Sequence, residues 1–112
     1  MTASIDTLPL PSYDGATVVV PAPGSGLGNW SGAASAVLVD GVFWLTWRER
    51  RPLSEGRGVA VSVARSEDGI TFEPVAQVRR EAFGAESFER PVLVKRPDGG
   101  WRLFLSLSLI HI

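Results

Sequence analysis

The sequence has no cysteine and only one histidine, His111, the penultimate residue. The body of the chain therefore has no Ser-His-Asp or Cys-His nucleophile system, no His-ligated metal and no zinc-finger ligand set. The missing thiols leave the redox compartment open, because such a chain suits a reducing cytosol and a disulfide-free exported protein equally. Excess charge of one sign is missing too. Lys and Arg total 11 against 12 Asp and Glu, for a net charge of −1, which gives no whole-chain argument for a nucleic-acid partner. No apolar run approaches the roughly 20 residues of a membrane helix. Residues 1–20 are interrupted by Asp6, Pro9, Pro11 and Asp14, which breaks up any signal-peptide core. The expectation is a cytoplasmic chain with no membrane partner. Helical periodicity is scarce as well, and only Arg79 to Phe83 suits a helical turn.

What the chain has is β-forming residues between turns. It has 112 residues, 45% of them hydrophobic, with 12 Gly and 8 Pro, a globular, turn-rich composition large enough for one small domain at most. One strand pair occurs twice. Val37-Leu38-Val39, the turn Asp40-Gly41 and Val42-Phe43-Trp44-Leu45-Thr46-Trp47 are matched by Val92-Leu93-Val94, the turn Pro97-Asp98-Gly99-Gly100 and Trp101-Arg102-Leu103-Phe104-Leu105. An offset of roughly 55 residues between the copies implies a repeat architecture of small antiparallel sheets, near the period of propeller blades.

The pattern predicts one four-stranded meander over Ser35 to Val78, with strands at Ala36–Asp40, Val42–Arg48, Gly58–Arg65 and Thr71–Val78 and a long loop from Arg50 to Gly56. Val59, Val61 and Val63 alternate with small or polar residues at strand period. Ser66-Glu67-Asp68-Gly69 reads as a tight hairpin, and Thr17-Val18-Val19-Val20 either as a short ring-closing strand or, equally, as an edge strand or loop. The expected organisation is 1–30, a loop segment with a ring-closing strand; 31–80, a first blade; and 81–106, the start of a second. Residues 107–112 match one reading frame of a transposon end used in preparing sequencing libraries. We expect them to be adapter-derived, with no partner for the strand they extend, and a blade and a half to leave unpaired edges that invite aggregation.

Taken in order, Ser-Ala-Val-Leu-Val-Asp-Gly-Val-Phe-Trp-Leu-Thr-Trp-Arg from Ser35, Val-Ala-Arg-Ser-Glu-Asp-Gly-Ile-Thr-Phe from Val63 and Phe-Glu-Arg-Pro-Val-Leu-Val from Phe88 resemble the five-bladed β-propeller glycosidases. That superfamily includes glycoside hydrolase family 43, the invertases and levansucrases, and the mannoside phosphorylases of family 130. The resemblance covers about residues 30–106. It implies an all-β propeller of which the first one and a half blades are present, belonging to a glycoside hydrolase or glycoside phosphorylase of carbohydrate metabolism. The fragment itself is expected to be inactive, and a non-catalytic propeller that binds sugar or protein is the alternative.

In a propeller the residues just before each innermost strand converge on one rim of the channel. Glu86-Ser87-Phe88-Glu89-Arg90-Pro91 precedes the second such strand, and aligning Val92 with Val37 sets Glu89 opposite Ala34 and Arg90 opposite Ser35. Glycoside transfer uses two carboxyl groups, and neither a cofactor nor a metal is expected here. Glu89 is the leading catalytic candidate, in a Glu-Arg-Pro context similar to the Glu-Asp-Pro-Arg element of the phosphorylases, and Glu86 is the second. In extended chain those two lie about 10 Å apart on opposite faces. Where relatives place a first-blade Asp, this chain has Ala34; either Asp14 or another loop residue substitutes, or the first-blade role has moved, or the chain is not a hydrolase of that type. Arg90 and Arg48 are the expected substrate-binding cations for a carbohydrate or inorganic phosphate, since guanidinium forks fit oxyanions. Arg48 belongs to a basic cluster with Arg50, Arg51 and Arg57. Trp30 is the expected sugar platform from a loop, Trp44 and Trp101 the expected core tryptophans, and Asp40, Asp68 and Asp98 turn residues. The Ser66-to-Phe72 turn is similar to a sialidase Asp-box but one residue shorter.

Overall fold

A computed structural model describes residues 8–110, and they form an all-β structure. Strands β1 (Trp30–Val39), β2 (Val42–Arg50), β3 (Gly58–Ser66) and β4 (Glu73–Arg79) make one antiparallel sheet in chain order. Two short pairs follow: β5 (Ser87–Phe88) with β8 (Leu107–Ser108), and β6 (Val92–Lys95) with β7 (Trp101–Phe104). The repeated strand pair is thus a pair of antiparallel hairpins, β1–β2 and β6–β7. The two turns differ. Asp40 and Gly41 both take positive φ, 51° and 78°, the twist that joins strands across a two-residue turn. Pro97-Asp98-Gly99 makes a three-residue connection in which the Arg96 N–H donates to the Gly100 carbonyl at 2.8 Å and Gly99 has φ 93°. Asp98 Oδ1 accepts from the Gly100 N–H at 2.9 Å, so its role is in the turn.

Several expectations are corrected. β1 begins at Trp30, well before Ala36, because Trp30, Ser31 and Gly32 pair with Arg50, Glu49 and Arg48 beyond a bulge at Ala33, whose φ is 52°. Bulges of this kind hold an extra residue without ending the ladder. Thr17–Val20 is not a strand. Val18, Val19 and Val20 line one pocket with Ser31, Gly32, Ala34, Leu45 and Trp47, and Ser31 Oγ donates to the carbonyl of the following Pro21 at 2.9 Å, with no ladder to the sheet. The β3–β4 connection spans 67–72, longer than a tight hairpin. Ser66 and Asp68 organise it: Asp68 Oδ1 accepts the N–H groups of Ile70 and Thr71, each at 2.8 Å, and Ser66 Oγ accepts that of Gly69 at 2.8 Å. The helical turn near Arg79 is a single 3-10 turn at Arg80–Phe83, and another at Leu53–Glu55 sits in the β2–β3 loop. Leu107–Ser108, expected to run on unpaired, bridges to Phe88 and Ser87. The histidine at 111 lies outside the described residues.

The alternation of β1 to β4 gives the sheet two faces. One carries Val37, Trp44, Thr46, Arg48, Val61, Val63 and Val78, placed together by the register. Against it pack Ala85 and Phe88, with Leu103 and Leu105 around them, and Val61 and Phe88 are fully buried. The core therefore lies between the sheet and the second half of the chain. The other face carries Phe43, Leu45, Trp47, Glu49, Ser62 and Gln77, with a polar cluster in which Ser62 Oγ donates to Glu49 Oε1 at 3.1 Å and Gln77 Nε2 to the same oxygen at 3.2 Å.

Candidate functional site

The carboxylate of Glu89 is fixed where the two halves meet. Phe88 anchors the preceding residue in the core, and the Glu89 N–H donates to the Ser106 carbonyl at 2.7 Å. Directly below, β3 begins at Gly58, where an added Cβ would stand 2.1 Å from the Phe88 carbonyl oxygen. Only glycine leaves room for this approach, and the Gly58 N–H donates to Ser87 Oγ at 3.1 Å. The backbone at 88–89 thus sits on the ends of β2 and β3, and two guanidiniums reach it from there. Arg48 Nη1 donates to the Phe88 carbonyl at 3.0 Å and to Glu89 Oε2. Arg57 Nη2 donates to Glu89 Oε1 at 3.2 Å. The Arg48 side chain is almost wholly buried, whereas Glu89 keeps about a third of its surface open.

An aromatic wall completes the cluster. Trp30 lies with the Arg48 guanidinium 4.8 Å and the Arg50 guanidinium 5.6 Å from its ring centre, distances at which the ring quadrupole attracts a cation. The sequence reading put Trp30 in a loop; it is the first residue of β1, and its ring folds back over Gly32, where a Cβ would lie 2.5 Å from it. The Nε atoms of Arg48 and Arg50 are buried and make no hydrogen bond. The basic cluster therefore divides: Arg48 and Arg57 hold Glu89, Arg50 meets Trp30, and Arg51 Nη1 donates to Asn29 Oδ1 at 3.3 Å.

Glu86 and Glu89 flank β5 at opposite ends. The Glu86 N–H donates to the Ser108 carbonyl at 2.8 Å and its carbonyl accepts from Arg80 Nη1 at 2.7 Å. Arg90 points elsewhere, donating through Nη2 to the Ala34 carbonyl at 3.0 Å. It joins the second half to the bulge of β1, at the position aligned with Glu89. Asp14 is exposed in a turn closed by the Ala16 N–H and the Tyr13 carbonyl at 3.2 Å, and makes none of the contacts that build the Glu89 cluster. Trp44 and Trp101 meet each other, ring centres 4.6 Å apart, with Arg65 over the first and Lys95 over the second.

Arg57 was seen in sequence only as one of a basic run. Its left-handed φ of 56° before Gly58 turns it toward Glu89, and neighbouring glycines at 56 and 58 were the available sign. Among the described residues no group of three or more His, Cys, Asp or Glu is arranged to hold a metal ion, and no helix is long and apolar enough to cross a membrane. No protein-family model matches this chain, and no curated protein or solved structure matches it either.

Proposed function

We propose that the chain is part of a five-bladed β-propeller acting on glycosidic bonds, with residues 31–80 as one blade and 81–106 opening the next. The observation that carries this reading is the Glu89 carboxylate, set just before β6 and bridged by Arg48 and Arg57 of the neighbouring sheet beside Trp30. A carboxylate so placed is a fixed hydrogen-bond acceptor for a sugar hydroxyl or for the water or phosphate that attacks an anomeric carbon. The two guanidiniums orient it through hydrogen bonds to both of its oxygens. Trp30 supplies an apolar surface next to them. Glycoside transfer needs a second carboxyl group, and on this reading other blades provide it.

A second reading, a sugar-binding propeller without catalysis, is favoured by one observation. Both carboxylate oxygens of Glu89 already accept guanidinium bonds, and the equivalent position on the first hairpin is Ala34. The experiment is titration of the chain with a panel of neutral and acidic oligosaccharides, with and without inorganic phosphate, followed by tryptophan fluorescence and calorimetry. Binding that weakens at least tenfold in Glu89→Gln and in Trp30→Ala supports a carbohydrate site. Aryl-glycoside turnover by the gene's full-length product, lost in Glu89→Gln, selects the enzyme, and binding without turnover selects the second reading. No binding to any member of the panel overturns both.

A further inference from the structure

The two cations on Glu89 are supported differently. Arg48 projects from β2, whose backbone is paired to β1 on one side and to β3 on the other, so the ladder fixes where its side chain starts. Arg57 starts from a loop. It stands between the 3-10 turn at Leu53–Glu55 and the first residue of β3, with φ 56° beside Gly56 at 103°. A non-glycine residue keeps a left-handed backbone only where its surroundings hold it there.

Those surroundings centre on the peptide group between Gly56 and Arg57. Its N–H donates to the Pro52 carbonyl at 3.4 Å, a long bond, and the Arg57 carbonyl accepts from the Arg51 N–H at 2.8 Å. Both partners belong to the same loop, so these bonds close it without orienting it against the rest of the molecule. The carbonyl of Gly56 is held from outside. Arg80 Nη1 donates to it at 3.3 Å and to the Glu86 carbonyl at 2.7 Å. The same guanidinium packs on the Gly56 Cα: an added Cβ would stand 2.5 Å from its Cζ and Nη1 and 2.6 Å from its Nη2. Near-equal distances set the guanidinium plane face-on to that position. Arg80 is placed in turn by the 3-10 turn it opens, where the Ala85 N–H donates to the Arg80 carbonyl at 3.0 Å and Glu81 Oε1 lies 3.6 Å from Arg80 Nε.

We propose that Arg80 is a positioning residue for the Glu89 site. By clamping the Gly56–Arg57 peptide to the segment that leads into β5, it sets the Arg57 guanidinium on Glu89, while Arg48 reaches the same carboxylate without it. Every bond in this chain of contacts joins residues between 51 and 89, within the packed junction of the two halves. The inference rests on the carbohydrate reading only for the use to which Glu89 is put. Arg48 is the internal control, because it shares the carboxylate and lacks the clamp.

The test is NMR of the arginine side chains in the 112-residue chain, comparing the wild type with Arg80→Met and Arg80→Gln. A guanidinium bonded to a fixed carboxylate turns slowly about its Cζ–Nε bond and gives separate Nη signals, whereas a released one gives an averaged signal. Both Arg48 and Arg57 are expected to show separate signals in the wild type. In either variant those of Arg57 should merge while those of Arg48 stay apart. Averaged Arg57 signals in the wild type, separate ones in the folded variants, or merging at both arginines overturns the proposal. So does loss of the fold in both variants, which would make Arg80 a structural residue alone.

A second readout uses the oligosaccharides that the wild type binds. Arg80→Met and Arg57→Gln should weaken that binding by a like factor, about threefold to tenfold, the worth of one hydrogen bond. The double variant should be no weaker than Arg57→Gln, because the two residues act in series; additive losses overturn the proposal. A wild type that binds no oligosaccharide sinks the carbohydrate reading, and the NMR comparison still decides the clamp.

Discussion

The β1–β2 and β6–β7 hairpins share a Val-Leu-Val strand, yet the structure buries opposite members of it. Leu38 is exposed where Leu93 is buried, and Val37 and Val39 are half-buried where Val92 and Val94 are exposed. The alternation of a strand states that two faces exist; which one becomes core is decided by what lies beside it. In the first hairpin the neighbour is the chain's own second half. In the second, the face toward the first hairpin is the covered one. The hairpins also differ in support: β1–β2 is extended by β3 and β4, whereas β6–β7 stands as a pair, and an isolated two-stranded hairpin is marginal without something to pack on.

The sharpest way to break this arrangement is Phe88→Ala. The ring is fully buried between the sheet and the β5–β8 pair, and its loss should cost about 3–5 kcal/mol, read by denaturant unfolding. The second half should loosen first in hydrogen exchange, while β2 and β3 keep their protection. Next comes the comparison itself. On the dilute chain Leu93→Ala should cost about 2 kcal/mol, and Leu38→Ala, at the equivalent position, under about 0.5 kcal/mol. Equal effects would mean that the two hairpins are covered alike.

Glu89→Ala should cost about 1–2 kcal/mol, because it leaves the buried Arg48 with the Phe88 carbonyl but no carboxylate. Glu89→Gln, which keeps an acceptor oxygen, should cost less, and chemical denaturation of the two variants side by side checks the order. The smallest effect is at Asp68. Hydrogen bonds from the N–H of Ile70, then from Thr71 and the Ser66 hydroxyl, hold its carboxyl below the usual aspartate value of 3.8. Its ionised form is thus favoured in the folded chain, so its contribution is complete above that value and is lost as the pH falls through the lower folded one. Asp68→Asn should remove this part of the acid dependence of unfolding by slightly lowering stability at neutral pH, where the ionised carboxyl contributes, while leaving stability at low pH little changed.

Much of the sheet was legible in the sequence. The alternation of Val59, Val61 and Val63 and the Asp-Gly turn at 40–41 mark strands and a connection through local chemistry, and both hairpins are where the repeat put them. The first residues of β1 were hidden because Trp30-Ser31-Gly32 reads as the end of a glycine-rich loop; only the bulge at Ala33 lets them rejoin β2. Thr17–Val20 has strand composition but no ladder partner, a fact of tertiary placement that propensity does not carry. Of the candidate site residues, Glu89, Arg48 and Trp30 come together. Arg90 goes to Ala34, since the bulge offers a carbonyl that a linear alignment does not show. Arg57 was missed because its direction depends on a left-handed backbone at one residue.

The missing side chain at residue 58 has a consequence for how this protein can change over generations. Because the Phe88 carbonyl occupies the space a Cβ would need, every substitution that adds a side chain is closed to drift, alanine included. A library randomised there and selected for soluble product should return the parental residue alone. By contrast, the position of Gly41, with nothing within 4 Å of an added Cβ, should admit asparagine and aspartate, which tolerate its left-handed backbone. Two glycines 17 positions apart would thus leave opposite marks in a population of sequences, one a fixed letter and the other a short alphabet.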